Sequence, residues 1–194
     1  MNKTNSDHVL LKNSILPFVE SGKLYCIGLS GGSDSILLLN FLKELSISKK
    51  FRVVALHLNH SLRNHESDGD ASFCEKVCEE LEIEIIAQKI DVKKFAAENK
   101  LSIEDAARKC RYNFFTEICG KLNANAVFTA HHADDQAETV LLRLFRGTGL
   151  KGLTGMKKTT FFNELKLVRP WLNIPRSILD GMINEMELNY RYDS

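Results

Sequence analysis

The stretch of sequence that decides the fold is Leu24-Tyr25-Cys26-Ile27-Gly28-Leu29-Ser30-Gly31-Gly32-Ser33-Asp34-Ser35. Residues 24–29 are mostly apolar and predict a buried strand, while the pattern of residues 33–45 predicts a helix. Between them lies a turn of serine and glycine, where free backbone amides meet the positive end of the helix dipole. The sequence therefore predicts a strand, an anion-binding turn and a helix in direct succession.

The rest of the chain repeats this alternation of apolar runs and amphipathic stretches. The other predicted strands cover residues 52–59, 84–90 and 126–130. Further helices are predicted over residues 66–81, from Ser102 onward as the helix cap, over 134–145 and over 177–186. On the helix 134–145, the apolar side chains expected to point inward are Ala137, Val140, Leu141 and Leu144. This order predicts an α/β fold with a doubly wound, Rossmann-like parallel sheet and helices on both faces.

The turn at residues 30–35 has the chemistry of a phosphate site. Its glycines let the backbone approach phosphate oxygens, and its serine hydroxyls can donate hydrogen bonds. Asp34 repels phosphate, so we expect its carboxylate to hold Mg²⁺. The turn lacks the Gly-Lys-Ser/Thr ending of Walker loops and the Gly-x-Gly-x-x-Gly spacing of dinucleotide folds, which disfavours both classes. The alternative is an ordinary serine- and glycine-rich helix cap. The predicted phosphate-binding residues are Ser30, Gly31, Gly32, Ser33, Asp34 and Ser35.

A second polar cluster follows the fourth predicted strand, where residues 129–139 read Thr-Ala-His-His-Ala-Asp-Asp-Gln-Ala-Glu-Thr. On a helix, Asp135, Glu138 and Thr139 fall at positions i, i+3 and i+4, so two carboxylates and a hydroxyl share one face. Such a face can bind an ammonium group or a metal ion. The alternative is that the carboxylates only complement the helix N-terminus while His131 and His132 pack.

Residues 142–156 read Leu-Arg-Leu-Phe-Arg-Gly-Thr-Gly-Leu-Lys-Gly-Leu-Thr-Gly-Met. Their glycines predict a flexible loop. The flanking bases form an edge suited to an RNA backbone, although a solvated helix end is an equally good reading for any single one of them. The bases concerned are Arg143, Arg146, Lys151, Lys157 and Lys158.

Composition and charge narrow the class of protein. Of the 194 residues, 44% are hydrophobic and 26% are charged, which excludes a disordered chain, and no apolar run is long enough for a membrane span. The net charge is only +1, with acids concentrated in residues 66–104 and bases in residues 143–194, so only the C-terminal part attracts polyanions. Five cysteines and a polar N-terminus without a secretory signal indicate free thiols and a cytoplasmic protein.

The turn at residues 30–35 resembles the PP-loop of N-type ATP pyrophosphatases, which split ATP between its α and β phosphates and grip the leaving pyrophosphate. Residues 129–139 resemble the tRNA-modifying branch of these enzymes. Residues 142–156 resemble the tRNA(Ile)-lysidine synthetase family closely, whereas GMP and NAD synthetases have no such continuation. The segments 57–63 (His-Leu-Asn-His-Ser-Leu-Arg) and 106–115 agree with the same family, from which Trp171 departs because leucine is more usual there.

This resemblance implies an enzyme that joins free L-lysine to C2 of the wobble cytidine of tRNA(Ile) with a CAU anticodon. The cytidine is first adenylated by ATP with Mg²⁺, and AMP and pyrophosphate are released. By resemblance, His57 and Asn59 lie near the adenine or ribose. The implied catalytic residues are Asp34, Arg111, Asp135 and Glu138. The implied contacts to lysine or tRNA are His131, His132, Asp135, Glu138, Arg143 and Arg146.

Two other functions are weighed against this one. A tRNA thiolase shares the PP-loop but needs a Cys-x-x-Cys pair or a poised thiol, and Cys74 and Cys78 lie one helical turn apart on an acidic helix, which favours packing. A non-catalytic nucleotide-binding module has the same sheet. We expect residues 1–194 to form a single N-terminal domain, with 170–194 leading toward a C-terminal tRNA-binding region. The sequence leaves open whether two copies form a homodimer.

Overall fold

The computed structural model describes residues 3–61, 65–145, 147 and 154–191. The strands are β1 (Leu24–Gly28), β2 (Arg52–Asn59), β3 (Glu84–Lys89), β4 (Ala126–Phe128), β5 (Thr159–Phe162) and β6 (Leu165–Val168). The α-helices are α1 (Lys3–Ile15), α2 (Ser33–Lys49), α3 (His65–Glu80), α4 (Val92–Asn99), α5 (Ile103–Leu122), α6 (Ala133–Phe145) and α7 (Arg176–Glu185), and a short 3₁₀ turn (Leu16–Phe18) follows α1.

The strands form one sheet in the order β3-β2-β1-β4-β6-β5. Five strands are parallel, and β5 pairs antiparallel with β6 at the edge. The predicted α/β fold with a parallel sheet is confirmed, and the edge hairpin of β5 and β6 is an addition that the sequence pattern did not predict. The strand order reverses at β1, since β2 follows on one side and β4 on the other, and this opens a crevice beyond the carboxyl ends of the strands.

Helices cover both faces of the sheet. Successive strand residues point to opposite sides, and in β1 the residues on both sides are apolar and buried. Tyr25 and Ile27 of β1 belong to one buried cluster, which includes the apolar face of α2, and Cys26 belongs to another, which includes Phe114 and Phe115 of α5. The cap predicted for α5 is confirmed, since Ser102 Oγ accepts from the backbone N–H of Asp105 at 3.1 Å.

Helix α1 was not predicted from the sequence. It is held against the rest of the fold by Trp171, the residue at which the family more usually has leucine. This side chain is fully buried, packs edge to face on Phe41 with ring centroids 5.8 Å apart, and donates its indole N–H to the Leu11 carbonyl at 3.3 Å.

Within the described residues, no helix is long and apolar enough to cross a bilayer.

One prediction about α6 is wrong. Ala137 is exposed, and Leu141 and Leu144 are 51% and 54% exposed, so the predicted inward face points outward instead. Helical spacing shows that apolar residues share a face, but it does not show that another element packs there. No residue of α6 is buried.

Candidate active site

A cavity of about 770 Å³ opens at the carboxyl ends of β1, β2 and β4. Its position is the crevice where the strand order reverses, which is where open α/β sheets bind ligands. It collects most of the residues that the sequence predicted for the site. Those that line it are Ser30, Gly32, Ser33, Asp34, Ser35, His57, Asn59, Arg111, His131, His132 and Asp135.

The turn between β1 and α2 is held in shape by its own hydroxyls. Ser35 Oγ donates to the Gly32 carbonyl at 2.9 Å and accepts from the backbone N–H of Ser30 at 3.3 Å. The hydroxyls of Ser30 and Ser35 lie 3.1 Å apart. These bonds form a compact turn above the start of α2, whose first amides have no partner within the helix. The turn therefore presents backbone donors and the positive helix end to the cavity.

Gly31 lies on the side of the turn that packs against α3, and it does not line the cavity. Its φ of +92° lies in a region that L side chains rarely adopt, and an added Cβ would lie 3.3 Å from Cys74 Sγ of α3. The Gly31 carbonyl accepts from the backbone N–H of Arg191 at 3.0 Å. Arg191 in turn donates through Nε to Asp70 of α3 at 3.1 Å. The turn is thus packed between α3 and the segment that follows α7.

A carboxylate, an imidazole and a second carboxylate meet beside the turn. His132 Nε2 lies 3.5 Å from Asp34 Oδ2 and 3.6 Å from Asp135 Oδ2, and the His132 side chain is only 5% exposed. The hydrogen bond with Asp34 is the main cause that raises the pKa of His132, against the opposing effect of burial. Asp135 also accepts from the backbone N–H of His132 at 2.8 Å, which fixes the start of α6. This arrangement places two carboxylates, bridged by His132, at the edge of the phosphate-binding turn.

Asp34 is suited to a Mg²⁺ ion. Its Oδ1 is buried and has no hydrogen-bond partner among the described residues. Within those residues, no group of three or more His, Cys, Asp or Glu side chains is arranged to hold a metal by itself. A single carboxylate fits the habit of Mg²⁺, which takes its remaining ligands from phosphates and water.

His57 presents an acceptor to the cavity. Its Nδ1 lies 2.9 Å from the Leu29 carbonyl, and because a carbonyl only accepts, Nδ1 must carry the proton. In the neutral ring, Nε2 is then an acceptor, and this buried atom has no partner among the described residues. Asn59 accepts through Oδ1 from the backbone N–H of Ser61 at 2.9 Å, so it also shapes the turn after β2.

The opposite wall of the cavity carries positive charge on α5. Arg111 is exposed there, with Nη2 3.4 Å from His60 Nε2. Burial first, and the charge of Arg111 second, lower the pKa of His60 to about 4. Burial also lowers the pKa of His131 to about 3, with the charges of Arg169 and Arg111 acting in the same direction. Both imidazoles are therefore neutral near pH 7.

Some predicted residues lie outside this cavity. Glu138 is exposed on α6 and does not line the cavity. Arg143 donates through Nη1 to the Gly155 carbonyl at 2.9 Å, so it holds the chain after the glycine-rich loop. Arg146 and residues 148–153, with Lys151, fall outside the described residues.

Several lining residues were missed by the sequence analysis: Gly28, Asp70, Phe115, Thr129, Arg176, Asp180, Tyr190 and Arg191. Most have no local signal, because only the tertiary fold brings α3, α7 and the segment after α7 to the turn. Gly28 has a clear structural reason, since a Cβ there would lie 2.6 Å from the ring of Phe115. The absence of a side chain at Gly28 therefore lets Phe115 of α5 pack close against β1.

The cysteines have a packing role. All five are free and buried. Burial raises the pKa of Cys74 to about 12 and that of Cys78 to about 11. A thiol with such a pKa is not a nucleophile near neutral pH.

Comparison with known proteins identifies the family of this site. The family profile described as a PP-loop domain matches residues 4–194. The chain belongs to the PP-loop domain family. The predicted family is thereby confirmed, and the turn at residues 30–35, the predicted PP-loop, is called the PP-loop below.

Relatives within this family point to one branch. The chain is 40% identical to a tRNA(Ile)-lysidine synthase of Porphyromonas gingivalis and 38% identical to one of Clostridioides difficile, over 91% and 90% of its length. It spans 37% of the length of each of these relatives. The solved structure of a U34-tRNA thiolase from Methanococcus maripaludis has the same fold, with a TM-score of 0.79 and 19% identity over 96% of this chain and 64% of the other.

Proposed function

We propose that this chain is the catalytic PP-loop domain of a tRNA(Ile)-lysidine synthase. The reaction joins free L-lysine to C2 of the wobble cytidine of tRNA(Ile) with a CAU anticodon, at the expense of ATP. The observation that carries the proposal is one cavity that holds both an anion-binding turn and, beside it at the start of α6, the carboxylate of Asp135. The first suits a triphosphate and the second an amine. The kinship with lysidine synthases supports the same choice.

In the first step the cavity binds ATP. The PP-loop amides would face the β and γ phosphates, and Asp34 would hold a Mg²⁺ ion, which would supply positive charge to offset theirs. His57 Nε2 accepts from a hydroxyl or amino group of the nucleoside, since its Nδ1 is already committed to Leu29. Arg111 contacts a phosphate oxyanion with its planar guanidinium. The O2 oxygen of cytidine attacks the α phosphate, and pyrophosphate leaves.

In the second step lysine displaces AMP. Its amine has a reference pKa of about 10.4, so near pH 7 it arrives as an ammonium ion and must lose a proton. Asp135 lies within the cavity as a carboxylate that can bind the ammonium and accept that proton. The new bond joins the amine nitrogen to C2, and the bond between C2 and the AMP oxygen breaks. Glu138, one turn along α6, stays a predicted second contact for lysine.

Parts of the proposal concern the whole protein. Because the two lysidine synthases are much longer than this chain, we assign recognition of the tRNA body to a region outside it. The buried free thiols fit a reducing cytoplasm. The thiolase alternative is disfavoured by the raised pKa values of Cys74 and Cys78.

The test is Asp135→Asn in the full-length protein, with Asp134→Asn as the matched control. The amide keeps the acceptor for the backbone of His132 but removes the charge and the proton-accepting ability. We expect ATP binding to change little, as measured by calorimetry, and lysine transfer to fall about 100-fold or more. Asp134 is exposed, does not line the cavity and accepts from the backbone N–H of Arg176 at 3.3 Å, so its variant should stay near wild type.

Product is followed by mass spectrometry of tRNA(Ile), and pyrophosphate release is followed in parallel. Unchanged lysine transfer by Asp135→Asn would remove Asp135 from the mechanism. If the wild type bound ATP but released no pyrophosphate with tRNA and lysine, the chain would be a non-catalytic nucleotide-binding module instead.

A further inference from the structure

A second cavity, of about 510 Å³, lies between α5, the hairpin of β5 and β6, and the residues that precede β5. Its described lining residues include four cations and no aspartate or glutamate. We call it the basic groove. The four cations are Arg108, Arg143, Lys157 and Arg169. The first cavity differs in charge, because aspartates and arginines share its walls. The basic groove therefore suits an anion.

The floor of the basic groove is a fixed positive charge. Arg169 is only 3% exposed, and its Nη1 donates to the Lys157 carbonyl and to Thr160 Oγ1, both at 3.0 Å. Its Nε is buried without a hydrogen-bond partner among the described residues. A buried cation held by neutral acceptors is unfavourable on its own, and a nearby anion offsets that cost.

Aromatic rings border the same groove. Tyr112 and Phe162 stack with centroids 5.1 Å apart and an interplanar angle of 26°. The guanidinium of Arg108 lies 5.0 Å from the centroid of Tyr112. Phe161, on the edge strand, is 70% exposed. Tyr112 is buried and Phe162 half-buried, so Phe161 is the exposed ring of the three. An exposed ring beside guanidinium groups suits single-stranded nucleic acid, since the ring can stack on a base and the cations can contact phosphates.

The basic groove adjoins the proposed active site. Arg108, in the groove, and Arg111, in the first cavity, lie three residues apart on α5 and so point in similar directions. His131 of the first cavity also lies within the field of Arg169 and Arg108, which act together with burial on its pKa. The two cavities are therefore neighbours along one surface.

We propose that the basic groove binds the RNA nucleotide next to the one that reacts in the first cavity. The phosphate contacts Arg108 and Lys157, and the base stacks on Phe161. Free lysine, with a net charge of about +1 near pH 7, is disfavoured as the occupant by the four cations of the groove. This inference rests on the proposed function, since it assumes that the macromolecular substrate is RNA.

The experiment uses the full-length protein and a fluorescently labelled anticodon stem–loop RNA of tRNA(Ile). Its dissociation constant is measured by anisotropy at several salt concentrations. We expect Arg108→Ala and Lys157→Ala each to weaken binding about 5- to 10-fold and to reduce the salt slope by roughly 0.7 to 1. Phe161→Ala should weaken binding about 5-fold or more, with little change in the salt slope.

Matched controls separate the groove from general effects of charge and exposure. Arg52→Ala removes a guanidinium at the amino end of β2, whereas the first cavity opens at the carboxyl ends of the strands. Ile47→Ala removes an apolar side chain that is 70% exposed, as Phe161 is. Both should bind RNA as the wild type does. Groove variants that match these controls would overturn the inference and leave the groove to another partner, such as an acidic protein segment.

Failure of the proposed function looks different. In that case the wild type adds no lysine to the tRNA, whatever the groove variants do to RNA affinity. Lysine transfer by the wild type, together with unchanged RNA affinity of all three groove variants, would refute the groove alone.

Discussion

Replacing His131 with glutamine should change the pH dependence of folding in a direction that the structure determines. Burial is the main cause that lowers the pKa of His131 to about 3. In the unfolded chain a histidine has a pKa of about 6.5, so between these values the unfolded ring binds a proton that the native ring does not. The stability contributed by the neutral ring is therefore present above about pH 6.5 and is lost as the pH falls through that value toward 3.

The size of the effect follows from the two pKa values. At pH 5, protonation stabilises an unfolded histidine by about 2 kcal/mol, from RT ln(1 + 10^1.5). Any native pKa below about 4 gives nearly the same result. The wild type should therefore lose about 2 kcal/mol of unfolding free energy through His131 between pH 8 and pH 5. His131→Gln cannot lose it, so its deficit relative to wild type should shrink by that amount at pH 5.

The assay is urea denaturation of both proteins at pH 8 and pH 5 in metal-free buffer. His132→Gln is a control of opposite sign. Because its hydrogen bond with Asp34 raises the pKa of His132, the stability from that residue is present below about pH 6.5 and is lost as the pH rises through the raised value. A His131→Gln deficit that is equal at both pH values, or larger at pH 5, would refute the reasoning.

Two further substitutions, the first with Gly32→Ala as its matched control, test the PP-loop and the chain after α6. Gly31→Ala places a side chain at a φ of +92° and 3.3 Å from Cys74 Sγ, so it should cost about 1–3 kcal/mol and lower the melting temperature by several degrees, with weaker ATP binding in calorimetry. Gly32→Ala, at a φ of −70°, should melt within about 2 °C of wild type, and an equal loss in both variants would contradict this account. Gln136→Ala removes two hydrogen bonds to the Met156 backbone, at 2.6 and 2.9 Å, and should lower the melting temperature by about 2–8 °C in a thermal scan. An unchanged scan would show that this link contributes nothing.

The parts of the fold that were predicted correctly are those with strong local patterns. The run from residue 24 to Ser35 combines an apolar strand, small turn residues and a helix start, and the structure reproduces all three. The hairpin of β5 and β6 was missed, although Asn163 lies in its two-residue turn with a φ of +53°. Asparagine between two short runs with strand propensity is a recognisable hairpin signal, so this element was within reach of the sequence.

Other features depend on distances that no local pattern contains. The spacing of Asp135 and Glu138 correctly predicts a shared helix face, but it cannot show where the cavity wall ends, and only Asp135 lies inside. Likewise, the approach of Asp70 and Arg191 to the PP-loop joins positions 121 residues apart. Such contacts arise from the packing of whole helices against the sheet.

The hydrogen bond from the backbone of Arg191 to Gly31 has a thermodynamic consequence. Since it is a main-chain bond, most side-chain substitutions at position 191 leave it intact, and only displacement of the segment or a proline there removes it. The geometry of the phosphate turn and the docking of that segment are thus thermodynamically coupled, because the same hydrogen bond stabilises both. A nucleotide that favours this geometry must tighten the docked segment, and whatever pulls the segment away must weaken nucleotide affinity by the same factor.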